Sequence, residues 1–180
     1  MFIESKNNKP VSLRKLTPGD FTDLSIYLQQ LSPQTKGRFG PHPFDERSVA
    51  EFYNSSETYF GYVAQDMEEN KIIAYSVLKT GYLEHDRQRL ESYGLQLSHT
   101  TDCTFAPSVA DNWQGMGIGN KLIQYIIPDL KARGINRIIL WGGVQMNNKQ
   151  ALNYYVRNGF KILGQFSYNG ENYDMMLEIN

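Results

Sequence analysis

The chain has 180 residues, 41% of them hydrophobic and 21% charged, with a net charge of −1. That length suits one domain spanning 1–180 with a sizeable core, and a charge so near zero argues against a general nucleic-acid binder. No apolar run approaches the roughly 20 residues of a membrane span, the opening MFIESKNNKP lacks an apolar signal region, and a lone Cys103 leaves no internal disulfide. The expectation is a cytoplasmic protein with no membrane partner.

PVSLRKL (10–16) alternates as a strand does. Thr17, Pro18 and Asp20 then form a helix-start signature, and Phe21, Leu24, Ile26, Leu28 and Leu31 supply much of the apolar side of a helix running to about Leu31. SPQTKGRFGPHPF breaks it, and DERSVAEFYNS reads as a second, short helix. TYFGYVAQD and KIIAYSVLK flank the turn MEEN as a hairpin. EHDRQRLESYGLQ (84–96) is charged and reads as loop with one helical turn. TDCTFAPSV (101–109) is a strand with Pro107 near its end. A helix with Ile118, Leu122, Ile123, Ile126, Ile127 and Leu130 on one side follows, kinked by Pro128 inside it and ended by Gly134. NRIILWGGV is a buried strand, Asn148 caps a helix that stops at Gly159, and FKILGQF with YDMMLEI closes the chain as an antiparallel pair. The pattern is mixed α/β.

Between strand 101–109 and its helix lies NWQGMGIGNKL, with glycines at 115, 117 and 119. Glycine lets a ligand approach backbone amides, and free N–H groups at a helix start carry partial positive charge, so such a loop can hold a pyrophosphate. A Walker loop is excluded because no Gly-Lys-Ser/Thr follows. A dinucleotide site is excluded because its ribose-binding acid is missing: no Asp or Glu occurs between Asp129 and Glu171. Charge is also uneven. Residues 112–170 hold seven Lys/Arg and one acid, for a net +6, leaving −7 on the rest, which fits an anionic ligand on one side and a cationic one on the other.

QGMGIG is similar to the acyl-CoA loop, Gln/Arg-x-x-Gly-x-Gly/Ala, of the GNAT superfamily of N-acetyltransferases at Gln114, Gly117 and Gly119. NNKQALNYYVRNGF resembles that family's second signature at Asn148, Ala151, Tyr155, Gly159 and Phe160. The resemblance implies a mixed, mostly antiparallel central sheet of about six to seven strands flanked by about four helices. It implies acetyl-CoA as acyl donor, no metal, and direct transfer of the acetyl group to a primary amine of a small molecule or a protein. Val109, Gln114, Gly115, Met116, Gly117, Ile118, Gly119 and Asn148 would hold the donor. Tyr155 would serve as general acid to the departing CoA thiolate. Where histone-type members carry a glutamate base, this chain has Cys103. His99 and Glu91 are therefore candidate bases beside a water relay, and Asp102 should face the other way. Pro107 has no N–H for the acyl oxygen, which leaves the Val109 N–H as a substitute. Phe39, His42 and Phe44 are candidate walls of an amine pocket. The missing glutamate keeps open an alternative, a non-catalytic acyl-CoA sensor or adaptor. A homodimer is compatible with either.

Overall fold

The computed structural model describes residues 1–179. Nine strands occur among them: β1 (Phe2–Glu4), β2 (Pro10–Lys15), β3 (Tyr59–Asp66), β4 (Lys71–Thr80), β5 (Asp102–Val109), β6 (Arg137–Leu140), β7 (Val144–Gln145), β8 (Lys161–Ser167) and β9 (Glu171–Glu178). Six α-helices accompany them: α1 (Phe21–Gln30), α2 (Pro33–Lys36), α3 (Glu46–Asn54), α4 (Arg87–Ser92), α5 (Ile118–Ala132) and α6 (Lys149–Arg157). The strands hydrogen-bond in the order β1-β2-β3-β4-β5-β6-β9-β7, with β8 also on β9. The sheet is mixed, since β5 and β6 run parallel while β1–β2, β2–β3, β6–β9 and β8–β9 are antiparallel.

The strand count exceeds the expected six to seven because β1 and β7 have three and two residues, too short for a periodic signal. Two helices were not expected as such. Ser32 caps α2 by accepting from the Thr35 N–H, with Pro33 in the first turn. In α4, an Arg87–Glu91 pair four residues apart and the buried Leu90 extend the one expected helical turn into a six-residue helix. NRIILWGGV is not continuous either. Gly142 and Gly143 take positive φ (64° and 70°) and split β6 from β7. A Cβ at Gly143 would lie 2.6 Å from the Tyr173 carbonyl, so only glycine fits this crossing. α5 runs on through Pro128, whose side chain is exposed.

The chain forms two compact units, each drawing on two separate stretches. The first comprises Met1–Leu78 and Ala106–Ile126, the second Lys79–Phe105 and Ile127–Asn180. In the first, Leu13, Leu24, Leu28, Tyr62, Tyr75, Ile118 and Leu122 are buried to within 2%. An Arg14–Asp20 double contact (2.7 Å each) fastens β2 to the start of α1, where the expected capping box forms. In the second, Phe105, Ile138, Ile139, Leu140, Phe160 and Met175 are buried. Arg89 bridges Asp86 and Asp174 at 2.7 Å and stands over the Phe166 ring, tying α4 to the final hairpin.

Candidate active site

The parallel ladder between β5 and β6 ends at Phe105↔Leu140. Main-chain groups alternate sides along a strand. The Phe105 carbonyl accepts from Trp141 on the β6 side, whereas the Ala110 N–H turns the other way to the Ile73 carbonyl of β4. Pro107 and Val109 therefore present their main-chain groups to the edge where pairing has stopped. Proline costs no ladder bond there, which explains its tolerance inside a central strand. The Val109 N–H faces outward on the same edge, and the Val109 carbonyl accepts from Gln114 Nε2 at 3.2 Å. Gln114 thus braces the loop against the strand that precedes it.

A single 3-10 turn, Asp111–Trp113, leads from β5 into the glycine loop. Asp111 accepts from the Ser32 N–H (2.9 Å), the Ser32 hydroxyl (2.7 Å) and the Thr35 hydroxyl (2.6 Å), fixing this turn to the cap of α2. Partial burial opposes ionisation of Asp111, yet these hydrogen bonds overcome it and hold the carboxyl below its ordinary range. Gly115 and Gly117 adopt φ of +77° and +85°, conformations that glycine reaches without strain. The Gln114 and Met116 amides are used inside the turn, donating to the Asp111 and Trp113 carbonyls. At the start of α5 the Lys121 N–H donates to the Gly117 carbonyl at 3.1 Å. The amides of Gly115, Gly117 and Ile118 donate to no group among the described residues. Three main-chain donors thus stand free at the positive end of a 15-residue helix. Gly119 already lies within the helix.

The expected pocket walls belong to an aromatic cluster of the same unit. Phe39 and His42 are buried, and Phe44 alone of the three keeps an accessible face. Phe39 meets Tyr75 edge-on at 5.9 Å, and His42 packs on Phe52 at 4.7 Å. His42 Nδ1 lies 2.7 Å from the Pro43 carbonyl, which can only accept, so the proton is on Nδ1. Nε2 then accepts from the Tyr75 hydroxyl at 3.0 Å. Burial pushes the His42 pKa down and favours the neutral ring. Phe39 and His42 are core side chains here, and neither lines an open surface.

In the second unit, Asn148 caps α6 by accepting from the Ala151 N–H at 3.3 Å. Tyr155, on α6, is 8% exposed, and its ring meets Phe160 at 5.2 Å and Tyr154 at 5.1 Å, both edge-on. Its hydroxyl has no hydrogen-bond partner among the described residues, and burial raises its pKa above the ordinary phenol range. The ring is seated and the O–H is uncommitted.

The candidate bases are less available. His99 stacks on Tyr82 at 4.2 Å and places Nε2 3.0 Å from Glu84. A Cβ on Gly81 would fall 2.8 Å from its Nδ1, so that nitrogen faces backbone. Nε2 is therefore taken by a carboxylate, while Nδ1 packs over the Gly81 main chain. Glu91 is an exposed helix-surface partner of Arg87 at 2.9 Å. Asp102 is held by Arg137 at 2.7 and 2.9 Å. Cys103 is fully buried, which pushes its thiol pKa up and keeps it neutral.

The sequence pattern does not mark Asp111, because its partners Ser32 and Thr35 lie 79 and 76 positions away. No cluster of His, Cys, Asp or Glu among the described residues is arranged to hold a metal ion, and no helix among them is long and apolar enough to cross a membrane.

A family model, "Acetyltransferase (GNAT) family", matches residues 26–160. No curated protein matches the sequence. Among solved structures, the GNAT domain of S. lividans PAT superposes with a TM-score of 0.74 at 17% identity, over 99% of this chain and 96% of that one. A ribosomal-protein-S5-alanine acetyltransferase from Vibrio fischeri gives 0.72 at 14% identity, over 94% and 93%. An aminoglycoside acetyltransferase in complex with coenzyme A gives 0.68 at 19% identity, over 93% and 94%.

Proposed function

The chain belongs to the GNAT acetyltransferase family, and on that premise we propose that it moves the acetyl group of acetyl-CoA to a primary amine by direct attack. The observation that carries this reading is the set of free amides of Gly115, Gly117 and Ile118 at the start of α5, a donor arrangement suited to a pyrophosphate. The edge of β5 beyond Phe105 offers the Pro107 carbonyl and the Val109 N–H to the amide groups of the pantetheine arm, in the way a strand pairs with another. Val109 is also the donor we assign to the acyl oxygen, since Pro107 has none to give.

In the reaction the amine nitrogen bonds to the acetyl carbon, the C–S bond breaks, and CoA leaves as a thiolate. Tyr155 donates a hydrogen bond to that sulfur. The burial that raises its pKa keeps the phenol protonated at neutral pH, as a donor must be. The attacking amine has first to lose a proton. Because His99 and Glu91 are engaged by Glu84 and Arg87, we assign this step to water rather than to either side chain.

The relatives' names specify an aminoglycoside in one case and a ribosomal protein in another. For this chain the acidic balance outside residues 112–170 supports a cationic amine. A homodimer fits β8, which pairs with β9 alone among the described strands, and the unpaired Cys103 fits a cytoplasmic setting.

The engagement of every candidate base favours one other reading, an acyl-CoA sensor without turnover. Thermal unfolding with acetyl-CoA, CoA and NADH, followed by CoA-thiol release across a panel of amines, separates the two. Ligand at 100 times Kd stabilises the fold by about 2.7 kcal/mol. A shift with the CoA ligands alone and thiol release with any amine is the expected result. Binding without release identifies the sensor, and no shift overturns both readings.

A further inference from the structure

The turn joining β1 to β2 lies against the glycine loop, within the first unit and outside the segment matched by the family model. Its main chain is closed by the Ser5 N–H donating to the Lys9 carbonyl and the Asn8 N–H to the Ser5 carbonyl, both at 3.0 Å. The Ser5 hydroxyl also meets the Asn7 side chain at 2.6 Å and accepts from the Lys9 N–H at 3.0 Å. Asn8 takes a positive φ of 59°, the conformation this tight turn requires. The turn is anchored at its far end by Lys9, which pairs with Glu68 at 3.3 Å and stands 5.6 Å from the Trp113 ring centre.

From this fixed turn the Lys6 N–H donates to the Met116 carbonyl at 3.2 Å. A trans peptide points its C=O and N–H in opposite directions. Holding the Met116 carbonyl toward Lys6 therefore turns the Gly117 N–H away from the turn, as one of the three free amides of the loop. The Lys6 side chain then runs beside Gly117. A Cβ on that glycine would lie 3.7 Å from both Cγ and Cε of Lys6. The residue is exposed, and its ammonium has no acidic partner among the described residues.

A cationic side chain running beside a glycine whose loop carries unsatisfied amides is the pairing that phosphate recognition uses. We propose that Lys6 is a phosphate-binding residue: its main chain orients the Gly117 amide and its ammonium contacts a phosphate of the ligand. This rests on the acyl-CoA reading given above. The phosphate is the pyrophosphate or the 3′-phosphate of CoA, and the chemistry of recognition is the same for each.

Titration calorimetry on the intact chain tests it, with CoA and 3′-dephospho-CoA as probes at low and high salt. Lys6→Ala and Lys6→Gln should each weaken CoA binding by about three- to tenfold at low salt and flatten its salt dependence. Lys6→Arg should restore both, and melting temperatures should match the wild type. A loss equal for both probes assigns the pyrophosphate, and a loss confined to CoA assigns the 3′-phosphate. Wild-type affinity and salt dependence in both Lys6→Ala and Lys6→Gln would overturn the assignment while leaving the acyl-CoA reading intact. A wild-type chain that binds neither probe would overturn that reading, and the role of Lys6 with it.

Discussion

Replacing Tyr155 by Phe removes one oxygen from a ring that Phe160 and Tyr154 hold in place. Because that hydroxyl has no partner among the described residues, the fold loses no hydrogen bond, and the change in stability should stay within about 0.5 kcal/mol. Turnover should behave differently. A hydrogen bond to a charged group is worth about 1.5–3 kcal/mol, and each 1.36 kcal/mol is tenfold in rate, so kcat should fall by about 10- to 150-fold. Acetyl-CoA affinity should change by less than about twofold, since the pyrophosphate is held elsewhere. Thiol release gives kcat, calorimetry gives Kd, and thermal unfolding checks the fold. An unchanged kcat would show that the hydroxyl does not serve the leaving sulfur. A melting point lowered by many degrees would show that the oxygen supports the fold.

Gly117→Glu should abolish stabilisation by CoA, because a carboxylate would stand among the free amides. Gly117→Ala is the control. Its Cβ makes only ordinary contact with Lys6, so the cost should be the roughly 1–2 kcal/mol of a left-handed residue, read from denaturant unfolding. Arg89→Met should destabilise the chain by about 3 kcal/mol, because it leaves the buried Asp86 and Asp174 carboxylates without their shared cation. Stability should also narrow at both ends of the pH range. Burial depresses the His42 pKa, so the unfolded chain binds the proton more readily, and the stability held above about pH 6.5 should fall as pH drops below it. Burial raises Tyr27, Tyr53, Tyr75, Tyr154 and Tyr155, so the unfolded chain loses those protons first and stability should fall as pH rises past 10. Unfolding free energies against pH check both arms. His42→Phe should remove the loss that begins at about pH 6.5, leaving the loss at lower pH that comes from depressed carboxylates such as Asp111.

Local signals were legible in the sequence. The Thr17 and Asp20 capping box, the Asn148 cap, the glycine-rich loop and the apolar face of α5 each involve residues within a few positions of one another, and each forms as expected. What the sequence hid depends on distance. Asp111 is fixed from α2, Met116 from the β1–β2 turn, and Asp174 from α4, and no spacing along the chain announces such partners. The contacts of the Phe39, His42 and Phe44 stretch are of the same distant kind, since Phe39 and His42 fold inward onto Tyr75. The break at Gly142 and Gly143 was hidden because a strand and an interrupted strand share the same apolar run.

The interleaving of the two units along the chain sets an order of events during synthesis. Chain emerges N-terminus first at about 5–20 residues per second. The first 78 residues, though contiguous, lack the Ala106–Ile126 segment that carries Ser108, the partner of Tyr27, and Ile118, a core side chain. The second unit begins before the first is complete and ends only with the β8–β9 hairpin. No single cut can therefore release either unit whole. A nascent chain halted near residue 100 would hold β2, β3 and β4 without β5, which makes β4 the edge a chaperone would have to shield.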